Sequence, residues 1–298
     1  MGKTLATGAK TSHELVVAYL RAQLDELRAR ETGARIDSPD AVHRMRVACR
    51  RLRSSLATFR PLFTGPVTQP LRAELQWLGG VLGAVRDAEV MRAHLQLTVA
   101  MLPVDVDLAF VLADLDRELA ERHSIAHQNL IEVLNSPRHA ALLASLGLFI
   151  TNPPWDAKAA SRHTLPVLVG RACARVDRAA MAAEGTLDLG GPELHEVRKA
   201  AKRARYAAEV ASPSAGSPAL GLAHRMEELQ ELLGHHQDSL MAQALLDDIA
   251  SRLSEHDAFA LGLLSGVEHA SDESVLAAYS SALAAASTDE IRHWTRRG

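Results

Sequence analysis

Apolar residues recur along most of this chain at intervals of three and four, the spacing of one face of an α-helix. Ala and Leu are abundant, aromatic residues make up only 4% of the chain, and runs of β-branched residues are scarce. The pattern therefore predicts an all-α fold. The predicted helices cover residues 12–31, 38–60, 68–99, 105–134, 136–150, 157–183, 193–211, 219–253 and 256–287.

Prolines and glycines indicate where these helices begin and end. Pro39 is expected in the first turn of the second helix, because proline there loses no hydrogen bond. Pro166 predicts a kink or a late helix start. Residues 212–218, SPSAGSP, are expected to form a loop, and residues 151–154 are the best candidate for a domain boundary because they are polar, contain two prolines and lie at mid-chain.

Positive charge is concentrated between His43 and Arg53, where there are five arginines and no acidic residue although the whole chain has a net charge of -3. On a helix, His43, Arg46, Arg50 and Arg53 fall within an arc of about 80°, beside an apolar stripe that can face a core. A solvated helix usually mixes its signs, because like charges at i,i+4 cost a few tenths of a kcal/mol. The stretch is therefore a candidate anion-binding surface.

An internal repeat strengthens that interpretation. Residues 194–210 repeat the basic stretch at an offset of 152, and LGHHQD at 233–238 repeats LGAVRD at 82–87 at an offset of 151. The sequence predicts two copies of one helical unit. They are residues 1–151 with the basic helix 38–60, and residues 152–298 with the basic helix 193–211.

These motifs resemble the CHAD family, the conserved histidine α-helical domain. The resemblance rests on H-x-x-R-x-x-x-R-R-x-R at 43–53, its twin H-x-x-R-x-x-x-K-R-x-R at 195–205, the repeated L-G-x-x-x-D, and the segment SPRHAALLASL at 136–146, and it covers nearly the whole chain. It implies two antiparallel four-helix bundles related by a pseudo-two-fold axis, with a basic cavity or groove that binds inorganic polyphosphate. The ligand residues that the resemblance implies are His43, Arg46, Arg50, Arg51, Arg53, His195, Arg198, Lys202, Arg203 and Arg205.

Two aspartates and two histidines need separate roles. Asp is a poor mid-helix residue, so Asp87 and Asp238 are expected to form ion pairs that orient arginines. For His43 and His195 two roles stay open: donation to phosphate, or a structural bond to a carbonyl or to the repeat's aspartate. The sequence shows no nucleophile–base pair and no carboxylate cluster for magnesium, so we expect no catalytic residue, no cofactor and no enzymatic activity.

Two other functions are alternatives. A metal-chelating protein would use the group His235-His236-x-Asp238, but only His235 and Asp238 share a helix face, short of the three or four ligands of a zinc site. A scaffold for nucleic acid or a phosphorylated partner would suit the arginines. Tyr206, however, is the only aromatic residue in either basic stripe, and the net charge is acidic.

Cellular location is predicted from hydropathy and cysteines. No apolar stretch reaches about 18 residues, so no membrane span is expected, and the first residues lack the apolar core of a signal peptide. Cys49 and Cys173 lie on apolar helix faces and are expected to be buried free thiols. We expect a cytoplasmic protein, with association to polyphosphate granules and the oligomeric state left open.

Overall fold

The computed structural model describes residues 11–102, 109–156, 164–184, 192–250 and 255–296. These residues are almost wholly helical, so the predicted all-α class is confirmed; two short 3-10 helices, Arg60–Leu62 and His293–Arg296, accompany the α-helices. The α-helices are α1 Ser12–Arg35, α2 Ala41–Thr58, α3 Thr68–Ala100, α4 Ala109–Leu134, α5 Pro137–Thr151, α6 Thr164–Glu184, α7 Pro192–Ala215, α8 Ser217–Ala250, α9 Glu255–Ser287 and α10 Asp289–Arg292.

Helices adjacent in sequence pack against each other within each half of the chain, α1 through α4 in the first and α6 through α9 in the second. Between the halves, α2 contacts α7 and α3 contacts α8. These are the equivalent helices of the two repeats, and contacts between equivalent elements are what a pseudo-two-fold axis produces. The two basic helices therefore meet near the centre of the molecule.

One hydrophobic core runs through both halves. It joins the apolar stripe of α2, for example Met45 and Leu52, to that of α7, for example Val197 and Ala204, all at most 1% exposed. A second cluster, at the other end of the long helices, packs Leu95 and Leu115 against Leu246. The apolar stripe beside the arginines thus faces a core, as the helical projection predicts, and it leaves the basic side of each helix outside that core.

Two predicted helix ends are wrong. Pro39 lies before α2, because Asp40 adopts a left-handed conformation (φ 61°) and the helix begins at Ala41. The loop predicted at 212–218 is instead helix as far as Ala215, followed by Gly216 at φ 64° and the start of α8. Pro213 cannot donate to the carbonyl of Glu209, and the Ser212 hydroxyl donates to that oxygen at 2.9 Å, which satisfies it within the helix.

The segment that follows α5 packs back onto the first repeat. The backbone N–H of Thr64 donates to the carbonyl of Pro154, and that of Asp156 donates to the carbonyl of Leu62, both at 2.8 Å. Trp155 stacks on Phe63 with ring centroids 4.8 Å apart. Residues 157–163, predicted to be helical, lie outside the described part of the chain, and Pro166 falls in the first turn of α6.

Both cysteines are buried and free. Cys49 donates its thiol proton to the carbonyl of Leu75 at 3.0 Å, and burial raises the pKa of Cys49 to about 12 and that of Cys173 to about 11. Such thiols are protonated and unreactive at neutral pH. Within the described residues, no helix has the length and hydropathy needed to cross a membrane.

Candidate anion-binding groove

A groove lies between α2, α3 and α7, and we call it the cationic groove. It consists of two adjoining cavities of about 500 and 380 Å³. No carboxylate is among the residues that line them. The lining residues with basic or polar side chains are Arg46, Arg50, Arg53, Ser54, Gln69, Arg72, Gln76, His195, Lys199, Lys202, Arg203 and Tyr206.

Helical spacing places the basic residues of α2 and α7 in rows along the groove. Arg46, Arg50 and Arg53 span about 10 Å of α2 at 1.5 Å per residue. On α7, His195 and Lys202 span about the same length and lie beside a buried apolar stripe. Three to four basic groups from each helix therefore face one space, and their positions follow from the amphipathic pattern of both helices.

The repeated L-G-x-x-x-D motif supports the first arginine of each stripe. A Cβ atom at Gly83 would lie 3.7 Å from the guanidinium of Arg46, and one at Gly234 would lie 3.2 Å from that of Arg198. One turn further along α3, Asp87 forms an ion pair with Arg46 at 3.2 Å. At Gly234 the missing side chain leaves room for Arg198, whereas a methyl group at Gly83 would only touch Arg46, and Asp87 attracts the charge of Arg46.

Asp238 occupies the equivalent place in the second repeat and is more buried than Asp87. Burial raises the pKa of Asp238, against the opposing effects of Arg198, His94 and His235. For Arg198, burial lowers the pKa and Asp238 opposes that shift, and its Nε atom is buried without a hydrogen-bond partner among the described groups. The two motifs thus have the same layout, but Arg46 has an ion pair with its aspartate whereas Nε of Arg198 has no hydrogen-bond partner among the described groups.

Lys202 is enclosed by other cations. Burial, together with the charges of Arg198, Arg50 and Arg46, lowers the pKa of Lys202 to about 6. The amine is consequently poised to gain a proton when a negative charge enters the groove, because an anion reverses the sign of its surroundings. Burial also lowers the pKa of Arg203, with Arg175 and Arg72 adding to the effect.

Tyr206 lines the groove, although its side chain is almost fully buried. Its ring is 1% exposed, and its hydroxyl accepts a hydrogen bond of 2.8 Å from Nε of Arg50. Arg50, Arg51 and Arg205 lie 5.5 to 6.0 Å from the ring centroid, within cation–π range. Tyr206 therefore fixes one guanidinium of the groove and neighbours two that lie outside it.

Arg51 and Arg205 do not line the cationic groove. Both bind Oε1 of Glu209, at 3.2 and 3.1 Å, and the hydroxyl of Tyr19 donates to Oε2 of the same carboxylate at 2.6 Å. Arg205 also pairs with Glu227 on α8 at 2.5 Å. These two predicted ligand residues are held in a network that ties α1, α2, α7 and α8 together.

The two histidines differ in position. His195 is exposed, lines the groove, and has Nδ1 at 2.9 Å from the amide oxygen of Gln237. His43 lines a separate cavity of about 580 Å³ with Glu26, Asp40 and Arg51. Burial lowers the pKa of His43, and Arg86 and Arg50 lower it further.

Sequence reasoning missed the contribution of α3 and part of that of α7. Arg72 and Lys199 add two charges to the groove, and Gln69 and Gln76 add two amides. Positions 69, 72 and 76 lie on one helix face, and the same face continues through the glycines at 79, 80 and 83. A polar stripe running into glycines was the signal available in the sequence, but it is weaker than a row of arginines.

The metal-binding alternative gains no support at His235. His235 is exposed, whereas His236 is buried and bonds Asp272 on α9. Within the described ranges, no third metal-ligating side chain joins His235 and Asp238.

The fold and the groove define a class of all-helical proteins in which two repeats meet around a cationic cavity. A family model, the CHAD domain, matches residues 18–247, so the chain belongs to the CHAD domain family. The CHAD domain structure from the plant Ricinus communis is 27% identical, with a TM-score of 0.72 and coverage of 95% of each chain. PptA from Streptomyces chartreusis shares the fold, with a TM-score of 0.75, 24% identity, and coverage of 92% of this chain and 99% of its own.

Two curated relatives come from Mycobacterium tuberculosis. They are uncharacterized protein MT2285 of strain CDC 1551 / Oshkosh and uncharacterized protein Rv2226 of strain ATCC 25618 / H37Rv. Each is 31% identical over 268 residues, covering 87% of this chain and 50% of the relative. The chain thus spans about half the length of the curated relatives it matches.

Proposed function

We propose that the protein binds inorganic polyphosphate in the cationic groove without chemically changing it. The observation that carries the proposal is the lining of the groove, which has seven Lys or Arg side chains and no carboxylate, in a chain whose net charge is -3. Two of the seven pair with a carboxylate outside the lining, Arg46 with Asp87 and Lys199 with Glu196, and the cations that face one another in the groove repel each other. A polyanion removes that repulsion.

The shape of the groove favours a chain of phosphates over a single one. Its basic groups form rows about 10 Å long on α2 and α7, and the two cavities share Arg50, Arg53 and Lys202. Guanidinium forks match phosphate oxygens, and charge-assisted hydrogen bonds of this kind are the stronger class. Adjacent phosphates of one linear ligand can therefore contact arginines in both cavities at once.

The groove offers little for catalysis. Phosphoryl transfer and phosphate hydrolysis commonly use carboxylates to hold a metal ion or to activate water, and none is among the lining residues. Lys202 is the one buried lysine of the groove with a pKa near neutrality. It is surrounded by guanidinium groups and has no acidic partner in the lining, so we assign it to binding.

Nucleic acid is the competing phosphate ligand. Proteins that hold single strands usually stack bases on exposed aromatic rings. Tyr206 is the aromatic residue in the groove lining, and its ring is 1% exposed and surrounded by three guanidinium groups. This favours a polyanion without bases.

The test is a filter-binding titration with long-chain polyphosphate at two salt concentrations, with single-stranded DNA as a competitor at equal phosphate concentration. We expect saturable binding that weakens steeply with salt, because each neutralised phosphate releases counterions. DNA should compete poorly. Equal competition by DNA would favour the nucleic-acid function, and the absence of saturable polyphosphate binding would reject the proposal.

A further inference from the structure

A cluster of potential metal ligands lies away from the cationic groove, where three separate elements converge. Asp37 belongs to the connection between α1 and α2, Glu89 to α3 and His123 to α4. Oδ1 of Asp37 lies 3.6 Å from Nε2 of His123, and Oε1 of Glu89 lies 3.5 Å from it. All three ligand atoms are within 4.8 Å of one another.

The two separations from Nε2 of His123, 3.6 and 3.5 Å, suit a zinc-sized ion. Zn–N and Zn–O bonds of about 2.0 to 2.2 Å in a tetrahedral site put neighbouring ligand atoms roughly 3.3 to 3.6 Å apart. One imidazole with two carboxylates is also a donor set that first-row divalent ions accept. Magnesium and calcium take oxygen ligands and gain little from a histidine.

Neighbouring groups orient two of the three donors, Glu89 and His123. Arg86 binds Oε2 of Glu89 at 2.6 Å, so Oε1 is the oxygen left to face His123. The ring of His123 lies parallel to that of His127, with an interplanar angle of 3°, and Nε2 of His127 is 2.8 Å from the carbonyl oxygen of Ala34. Such contacts around the ligands hold them in position before an ion arrives.

We propose that Asp37, Glu89 and His123 bind one divalent first-row metal ion, with Zn²⁺ as the best match to their donor atoms. The fourth position of a tetrahedral ion would open into the adjacent cavity of about 520 Å³, which Asp40, Arg86 and Arg92 also line. An ion there joins α3 and α4 to the connection that precedes α2. It therefore stabilises the start of the basic helix without touching the cationic groove.

The test measures zinc by equilibrium dialysis with metal analysis, and thermal unfolding with and without Zn²⁺, on the full chain. We expect one equivalent of zinc and a rise in the unfolding temperature that grows with zinc concentration, because the ion binds the folded state. Asp37→Asn, Glu89→Gln and His123→Ala should each weaken zinc binding at least tenfold. Asp37→Asn is the sharpest variant, because Asn tolerates the left-handed backbone (φ 53°) that Asp37 adopts.

Asp25→Asn is the matched control. Asp25 is exposed on α1 and lies outside both the three-ligand cluster and the cavity beside it, so its variant should bind zinc as the parent does. His224→Ala controls for exposed histidines that bind zinc weakly. Less than half an equivalent of bound zinc in the parent protein, or an unchanged isotherm in Asp37→Asn and His123→Ala variants with normal circular dichroism, would overturn the proposal.

Discussion

The side chains of Arg50 and Tyr206 join the two repeats across the cationic groove, with Nε of Arg50 donating to the phenol oxygen at 2.8 Å. Arg50 has its equivalent at Lys202, and Tyr206 has its equivalent at Ser54. The contact therefore has no symmetric partner: Ser54, the counterpart of the tyrosine, offers no phenol to Lys202. The two walls of the groove differ at the point where they meet.

Reversing the charge at the junction of the two cavities should abolish polyphosphate binding. Arg50→Glu combined with Lys202→Glu replaces two cations that both cavities share and introduces repulsion for phosphate. Filter binding would measure the loss, and circular dichroism would check that the helices remain. A matched control is Arg60→Glu with Arg171→Glu, which replaces two basic side chains by glutamate at exposed positions outside the groove. Undiminished binding by the groove variant would refute the site assignment.

Polyphosphate affinity should fall as the pH rises from 6 to 8. The pKa of Lys202 is about 6 in the free protein, and a bound polyanion raises it, so binding takes up a proton between the two values. The charge of Lys202 contributes fully to polyphosphate affinity below pH 6. As the pH rises above 6 this contribution is lost, and the affinity falls by at most tenfold per pH unit. Titrations across this range, and calorimetry in buffers of different ionisation enthalpy, measure the uptake.

Lys202→Arg provides the comparison for this pH dependence. Arginine keeps its charge throughout the range, so the variant should lose most of the dependence while still binding polyphosphate. The terminal phosphates of the ligand are the same in both titrations, so their contribution cancels in the difference. An identical pH profile for the two proteins would show that Lys202 is not the group that gains the proton.

Glu209→Gln should destabilise the fold, by about 1 to 3 kcal/mol, because hydrogen bonds to charged groups are lost within a half-buried network. Tyr19→Phe removes the 2.6 Å hydrogen bond to the same carboxylate. The double variant should cost less than the sum of the two single changes, since they remove a shared interaction. Chemical denaturation measures all three, and strict additivity would contradict the network.

Gly83→Ala and Gly234→Ala form a second matched pair. Alanine favours a helix interior over glycine by about 1 kcal/mol. At Gly83 the new methyl group meets Arg46 at 3.7 Å, an ordinary contact, so most of that gain should appear as stability. At Gly234 it meets Nη2 of Arg198 at 3.2 Å, so the gain should be smaller and polyphosphate binding weaker. Denaturation curves and titrations that do not distinguish the two variants would contradict this account of the motif.

Most of the helices could be predicted from the sequence, because their apolar stripes repeat with the α-helical period over long stretches. The end of α7 could not. The segment from Ser212 to Ser217 combines serines, proline and glycine, and each of these favours a turn in isolation. The hydroxyl of Ser212, by binding the carbonyl that Pro213 leaves unpaired, lets the helix continue, and that bond is visible only in three dimensions.

The residues of the cationic groove could be predicted from the sequence only in part. Spacing along one helix identified Arg46, Arg50 and Arg53, the internal repeat added Lys202 and Arg203, and the structure brings these together. It places Arg51 and Arg205 elsewhere, because Glu209 lies between them and binds both. Which arginine meets a carboxylate depends on the packing of α2 against α7, and no periodicity within one helix contains that information. Arg72 was missed because it belongs to no row of basic residues on α3.

The core that runs through both repeats bears on how fast a ligand can enter and leave. The helices on the two sides of the groove share buried side chains, so they cannot move apart without exposing apolar surface. The width of the groove is therefore set before any ligand arrives. Association then needs no opening step, and its rate depends on electrostatic steering toward the concentrated positive charge. We therefore expect differences in affinity among groove variants to appear chiefly as differences in residence time.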